Sequence, residues 1–366
     1  MVTATRNGGS RSRVVAEAMP SAWERVNMRA LVTGCAGFIG SHLTESLLAD
    51  GHEVVGVDCF NDNYVRSSKL ENLRRAREFE SFEFVPIDLA RGDLADIVAG
   101  CEVIFHLAAE PGVRSSWGDR FDLFVRNNVV ATQRLLEAAR EKRPRRLVFA
   151  SSSSIYGNAA TLPTPEEARP RPFSPYGVTK LSGEHLCQLY DDNHGLDAVA
   201  LRYFTVYGPR QRPDMALNRF CRAALTGGPI TLFGDGTQRR DFTFVGDVVA
   251  ATRAAASRPA PGRAYNIGGG SRVSINRALE LLAGLAGRPL DVRRVPTEAG
   301  DVRETGADIS RAARELGYAP RTAFEAGLEA ELEWTAARLR EPAMAAGRRG
   351  SPAPRNGGAY ELGVSP

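Results

Sequence analysis

Tyr176 and Lys180 stand four residues apart, a spacing that puts both side chains on one face of a helix, and a serine run, Ser151 to Ser154, precedes them. A phenol of pKa about 10 is a poor base at neutral pH, but a neighbouring ammonium and a positively charged nicotinamide both favour phenolate. Tyr176 is then placed to take a hydroxyl proton while hydride leaves for the nicotinamide. In this chemistry Lys180 holds the cofactor ribose and lowers the Tyr176 pKa, and Ser152 hydrogen-bonds the reacting oxygen. Lysine is otherwise scarce, with Lys69, Lys142 and Lys180 the only ones among 47 basic residues.

A second group is Gly34-Cys35-Ala36-Gly37-Phe38-Ile39-Gly40, lying between an expected strand and an expected helix. Glycines there permit a tight turn, let backbone N–H groups approach a pyrophosphate, and leave the helix N-terminus to favour its negative charge. Gly34, Gly37, Phe38, Ile39 and Gly40 are accordingly assigned to a dinucleotide. Asp58, 24 residues beyond Gly34, closes the next strand. A carboxylate at that point accepts bonds from an adenosine ribose and repels a 2′-phosphate, so NAD is expected rather than NADP. Asp88 and Leu89 end a third strand, and Leu107, Ala108 and Ala109 follow a fourth at His106. These ends belong to the carboxyl edge where doubly wound sheets bind ligands. His106, interior to its strand, is expected to be structural.

The elements that must position these groups alternate. Short β-branched runs at Arg29 to Thr33, Glu53 to Val57, Glu83 to Pro86, Val103 to His106 and Arg146 to Ala150 are separated by helical patterns at Phe38 to Asp50, Arg66 to Glu78 and Phe124 to Glu141. The fold class is therefore α/β, a doubly wound parallel sheet (Rossmann) with a smaller, interleaved C-terminal substrate domain. Gly and Pro punctuation after Leu201 marks the change. Beyond it a helix is expected over Asp247 to Ala256, a strand returning to the main sheet over Arg263 to Ile267, and helices over Ser274 to Ala286, Ile309 to Leu316 and Ala323 to Leu339. Residues 1–27 read as a disordered tail, 28–204 as the NAD-binding domain with return segments near 240–268, 205–340 as mainly substrate-binding, and 341–366 as a second disordered tail.

Composition narrows the class. Of 366 residues, 43% are hydrophobic and 25% charged, ordinary values for a globular chain. The net charge of +4 resides in the two tails, each near +3, so no nucleic-acid footprint is expected. No apolar run reaches the roughly 18 residues of a membrane span, and no signal peptide is visible, which points to a cytoplasmic protein without a membrane partner. Cys35, Cys59, Cys101, Cys187 and Cys221 lack metal-ligand spacing, so buried thiols are expected and no metal.

Taken together, Leu31 to Gly40, Ser151 to Gly157, Tyr176 to Lys180, Leu201-Arg-Tyr-Phe204 and Arg240-Asp-Phe242 resemble, in order, the motifs of the extended short-chain dehydrogenases/reductases of the nucleotide-sugar epimerase and dehydratase group. The resemblance runs from Arg29 to about Leu339. It implies NAD as cofactor, a nucleotide sugar as substrate, Asn127 and Tyr203 in the NAD pocket, and a homodimer paired through the helices Phe124 to Glu141 and Tyr176 to Asn193.

Dehydratases of this group typically carry Thr-Asp-Glu at the strand end, and decarboxylating relatives a Glu at the position of Ser154; here the chain has Ser152-Ser153-Ser154. What remains is hydride removal at C4, rotation of the 4-keto sugar and hydride return to its other face. The segment Tyr203 to Ala216, with Arg-Pro-Asp-Met-Ala at 212–216, is similar to the UDP-glucuronate 4-epimerases, as are Phe60-Asn61-Asp-Asn-Tyr64 and Pro111-Gly-Val-Arg114. By that likeness Asn61 joins the cofactor residues, and Arg114 the substrate residues. Arg212 would offer a two-toothed clamp to the sugar carboxylate, assisted by Ser153 and Ser154. Such a grip has a purpose, because a 4-keto uronate is a β-keto acid liable to lose CO2. Thr205 stands where neutral-sugar epimerases commonly have Asn. Glu298 stands where many epimerases place an arginine on the diphosphate, leaving Arg240, Arg303 and Arg219 for that task. UDP-glucose/UDP-galactose 4-epimerisation is the alternative reading, and a non-catalytic NAD-sensing regulator a further one.

Overall fold

The computed structural model describes residues 27–257, 263–297 and 302–340. Both tails lie outside them, as does Glu298. In chain order the elements are β1 (Arg29–Thr33), α1 (Phe38–Ala49), β2 (Glu53–Asp58), α2 (Arg66–Asn72), β3 (Phe82–Pro86), α3 (Ala95–Val98), β4 (Val103–His106), α4 (Phe121–Phe124), α5 (Ala131–Lys142), β5 (Arg146–Ser152) and α6 (Pro175–His194). There follow β6 (Ala198–Tyr203), β7 (Thr205–Tyr207), α7 (Ala216–Thr226), β8 (Ile230–Phe233), β9 (Arg239–Phe244), α8 (Val245–Ser257), β10 (Ala264–Ile267), β11 (Arg272–Ser274), α9 (Ile275–Ala286), β12 (Val292–Val295), α10 (Ser310–Leu316) and α11 (Phe324–Arg340).

Seven strands form one parallel sheet in the order β10-β6-β5-β4-β1-β2-β3. Its central strands are largely apolar because both faces are covered: Phe105 shares a core with α1 and α8, while its neighbour Ile104 shares one with α5 and α6. The order reverses between β1 and β4, and a crevice opens beyond the carboxyl ends of those two strands. The expected return strand is β10, which pairs in parallel with β6 at the sheet edge, Ile267 opposite Tyr203. A smaller unit of β7, β9 and β11, with β8 paired to β12, gathers α7, α9 and α11 around Tyr207, Phe242 and Phe324.

Three expectations need correction. The helix expected over Arg66 to Glu78 ends at Asn72, whose side-chain amide donates to Ala36 O at 3.0 Å and so ties the helix end to the glycine turn. The helix expected over Phe124 to Glu141 carries a π-helical stretch, Val125–Val130. Wider turns there let two successive asparagines do separate work, Asn127 lining the crevice and Asn128 bonding Glu110 and Thr179 behind it. Cys59 is exposed, whereas Cys35, Cys101, Cys187 and Cys221 are buried as expected.

Candidate active site

The glycine turn is shaped by close approach. Gly34 has φ +73, and a Cβ there would stand 2.8 Å from Ala108 N; a Cβ on Gly40 would meet Gly34 O at 2.1 Å. The turn therefore cannot carry side chains at these points without moving. Helix α1 begins after Gly37 with no side-chain cap and no acidic residue in its first turn, which leaves its N–H groups and positive end directed at an anion. Asp58 accepts from Phe60 N at 2.8 Å and Ala36 N at 3.3 Å. Burial pushes its carboxyl above the ordinary range, and these bonds, with the nearby Lys69 charge, pull it back. An uncapped helix end, a turn closed to side chains and a carboxylate at the next strand end together fit a dinucleotide.

The candidate catalytic groups come from β5 and α6. Ser152 ends β5, and its hydroxyl accepts from Ser154 N at 3.1 Å, capping the short turn Ser153–Ile155. Ser174 caps α6 by accepting from Gly177 N at 3.1 Å, with Pro175 opening the helix, so that Tyr176 falls in its first turn. Lys180 is buried one turn later and donates to Ala150 O at 2.8 Å, joining α6 to β5. Desolvation lowers the Lys180 pKa to about 8, against the raising influence of Cys187 and Glu184. Burial raises the Tyr176 phenol; a hydrogen bond with Ser152 and the positive charge of Arg212 oppose it.

The cleft is lined by Gly34, Gly37, Phe38, Ile39, Gly40, Asp58, Asn61, Asp88, Leu89, Leu107, Ala108, Ala109, Asn127, Tyr176, Lys180, Tyr203 and Arg212, all singled out from sequence. Sequence reasoning did not assign Lys69, Asn63, Tyr64 or Ser151 to it, although they too form its walls. Lys69 donates to Asn61 O at 2.6 Å and also bonds the Asn61 side chain. Its signal was the rarity of lysine in the chain. His106 is buried between Thr33 Oγ1 at 2.8 Å and Thr132 Oγ1 at 2.9 Å, with a pKa pushed down to about 3 by burial, and is structural.

Arg212 reaches the cleft from the loop after β7. Its guanidinium is engaged fork to fork by Asp214, at 3.0 and 2.8 Å, and the carboxylate is half exposed. That loop is pinned on both sides. Half-buried His42 of α1, its pKa held down at about 4 chiefly by desolvation, bonds Pro209 O at 2.8 Å. Arg210, left-handed at φ 68, pairs with Glu45 of α1 at 2.8 Å. From the other side Glu331 of α11 accepts Gly208 N at 2.9 Å.

Other candidates stand outside the cleft lining. Ser153 and Ser154 follow β5, Ser154 Oγ accepting from Ser152 Oγ at 3.1 Å, and Thr205 opens β7. Arg240 and Arg303 are brought together, Arg240 Nη1 donating to Arg303 O at 3.3 Å and to Arg239 O at 2.9 Å. Arg219 is exposed on α7. Arg114 stacks over the Phe233 ring at 4.0 Å, spanning from the β4 loop to the smaller unit. Among the described residues no cluster suits a metal ion, and no helix is long and apolar enough to cross a membrane.

Residues 30–268 match the model of the NAD dependent epimerase/dehydratase family. The chain is 46% identical over 309 residues to a Bacillus subtilis (strain 168) protein named uncharacterized UDP-glucose epimerase YtcB, covering 84% of this chain and 98% of that one. It is 38% identical over 310 residues to the UDP-glucuronate 4-epimerase of Thermodesulfobacterium geofontis, covering 83% and 95%. The crystal structure of UDP-glucuronic acid 4-epimerase from Bacillus cereus in complex with UDP-glucuronic acid and NAD superposes with a TM-score of 0.83 at 42% identity, over 85% of this chain and 100% of that one.

Proposed function

The chain belongs to the NAD dependent epimerase/dehydratase family, and from that premise we propose that it is an NAD-dependent 4-epimerase of UDP-glucuronate, forming UDP-galacturonate through a 4-keto sugar. The observation that carries this reading is the composition of one cleft: Tyr176, Lys180 and Arg212 face it, beside a strand end that offers serines and no carboxylate. A carboxylate there would be needed for elimination; a cation in the cleft suits a uronate.

Bound NAD supplies a two-electron acceptor that removes hydride from C4 and gives it back. Tyr176 takes the O4 proton as the C4–H bond breaks, while the Ser152 hydroxyl holds the same oxygen. Lys180 places its charge near the Tyr176 side chain and the cofactor ribose. The 4-keto sugar then turns, and Tyr176 returns the proton to O4 on the inverted centre, so protons and electrons balance over the cycle. Arg212 exchanges its Asp214 partner for the sugar carboxylate, with Ser153 and Ser154 assisting, and holds that group out of the alignment for CO2 loss. Arg240, Arg303 and Arg219 serve the nucleotide diphosphate end, and Arg114 and Thr205 are further substrate residues. On this reading residues 28–204, with return segments near 240–268, hold the cofactor and 205–340 mainly the substrate.

Support for a homodimer comes from Phe121, Val130, Val178 and Leu189, large apolar side chains left exposed along α4, the π-helical stretch and α6. We place the reaction in the cytoplasm. The alternative, UDP-glucose 4-epimerisation, draws its support from the Bacillus subtilis relative's name. A non-catalytic NAD sensor is disfavoured by the complete set of Ser152, Tyr176 and Lys180.

The deciding experiment offers the purified protein UDP-glucuronate and UDP-glucose in parallel, following C4 configuration by proton NMR and released CO2. Epimerised uronate without CO2 is expected. Exclusive conversion of UDP-glucose would overturn the uronate assignment.

A further inference from the structure

Glu110 is 2% exposed, and its carboxylate is not used by the chemistry above. It follows Ala109 in the loop after β4. Its Oε2 accepts from Asn61 Nδ2 at 3.0 Å and Asn127 Nδ2 at 3.5 Å, and its Oε1 accepts from Arg120 Nη2 at 3.0 Å. The Asn63 amide is assigned with its nitrogen toward the carboxylate, since the reverse would set acceptor against acceptor, and so donates to both oxygens at 2.9 and 2.7 Å. The Glu110 main chain is fixed as well, its N–H donating to Asn128 Oδ1 at 2.6 Å and its C=O accepting from Asn128 Nδ2 at 3.0 Å.

These donors come from separate parts of the chain. Asn61 and Asn63 lie in the loop after β2, beside Asp58, while Asn127 lies in the π-helical stretch; all three line the cleft, and Lys69 is joined to the same group through Asn61. Burying an ionised carboxylate is costly unless its oxygens are bonded. Here the bonds that satisfy Glu110 are the ones that draw two walls of the cleft together from behind. Epimerisation by hydride return needs a cofactor that stays in place between the two transfers, and a clasp of this kind provides it.

We propose that Glu110 is a positioning residue for cofactor retention, a carboxylate clasp that holds Asn61, Asn63 and Asn127 in their places around the dinucleotide. The proposal rests on the NAD reading given above. Its readout is cofactor binding, not turnover. NAD carried through purification would be released by denaturation and quantified by chromatography. The NAD dissociation constant would then be measured by calorimetry on cofactor-stripped protein for the parent, Glu110→Ala, Glu110→Gln and Arg120→Ala.

Weakening of about tenfold or more is expected in Glu110→Ala and Glu110→Gln, the amide presenting a donor where only donors converge, Arg120 and Asn63 on one oxygen and Asn61, Asn63 and Asn127 on the other. In both variants kcat at saturating NAD should stay within about threefold of the parent, since no reacting atom is touched. Arg120 stands outside the cleft lining, and its loss should weaken binding less, with the Glu110→Ala/Arg120→Ala double variant no weaker than Glu110→Ala alone. Should Glu110→Ala fail to fold, Glu110→Gln and Arg120→Ala carry the test. Parent-like NAD affinity in all folded variants would overturn the clasp, as would a fall in kcat without a change in affinity. A parent protein that binds no NAD would remove the cofactor reading itself.

Discussion

The positive charge of Arg212 bears on the Tyr176 phenol across the cleft, opposing the burial that holds the phenol protonated. On the function proposed above, one cation serves two ends, gripping a substrate carboxylate and easing the proton transfer. Its removal separates them.

Arg212→Ala is expected to cut kcat/KM for UDP-glucuronate by roughly 30- to 1000-fold more than for UDP-glucose, the equivalent of about 2 to 4 kcal/mol for a broken buried charge pair. Losing the cation also raises the Tyr176 pKa, so the acid limb of the kcat/KM profile should move to higher pH. An equal loss on both sugars would place Arg212 on their shared UDP moiety.

Tyr176→Phe removes the proton acceptor and leaves the ring packed edge-on against Phe124. Turnover should fall by at least about 100-fold, while NAD recovered from the purified variant equals that of the parent. Normal turnover in this variant would dismiss Tyr176 as the base.

Glu331 is buried in α11, and its Oε1 has no hydrogen-bond partner. Desolvation lifts its carboxyl from 4.5 to about 8, against the pull of the Gly208 N–H. Between those values the folded protein keeps a proton that the unfolded chain has released, so stability falls as pH rises through the window. Glu331→Gln, neutral throughout and still able to accept from Gly208, should melt with the parent near pH 4.5 and higher by roughly 5 °C at pH 8 to 9. Thermal unfolding followed at both pH values checks the sign; a variant less stable than the parent at pH 8 to 9 would contradict it.

What could be read from the sequence was local. The glycine turn, the four-residue spacing of Tyr176 and Lys180, the strand end at Asp58 and the small residues Ala108 and Ala109 just past β4 are each set within a few residues, and the cleft gathers all of them. The parallel sheet followed from alternation alone. What escaped depends on closure between distant segments: Asn72 stopping its helix on Ala36, Glu110 gathering amides from two other elements, and His42 of α1 bonding Pro209 O. Periodicity holds no record of such partners. The π-helical stretch escaped as well, and Asn128 within it bonds Glu110 and Thr179, outside its own helix.

The loop from Gly208 to Arg212 is fastened to α1 through His42 and Glu45, and α1 also presents the glycine turn. A chimaera that imports a relative's 205–216 segment to change sugar preference would thus inherit mismatched seats unless positions 42 and 45 travel with it. The transplantable unit for altering specificity is discontinuous, part of it residing in α1, the helix that follows the glycine turn.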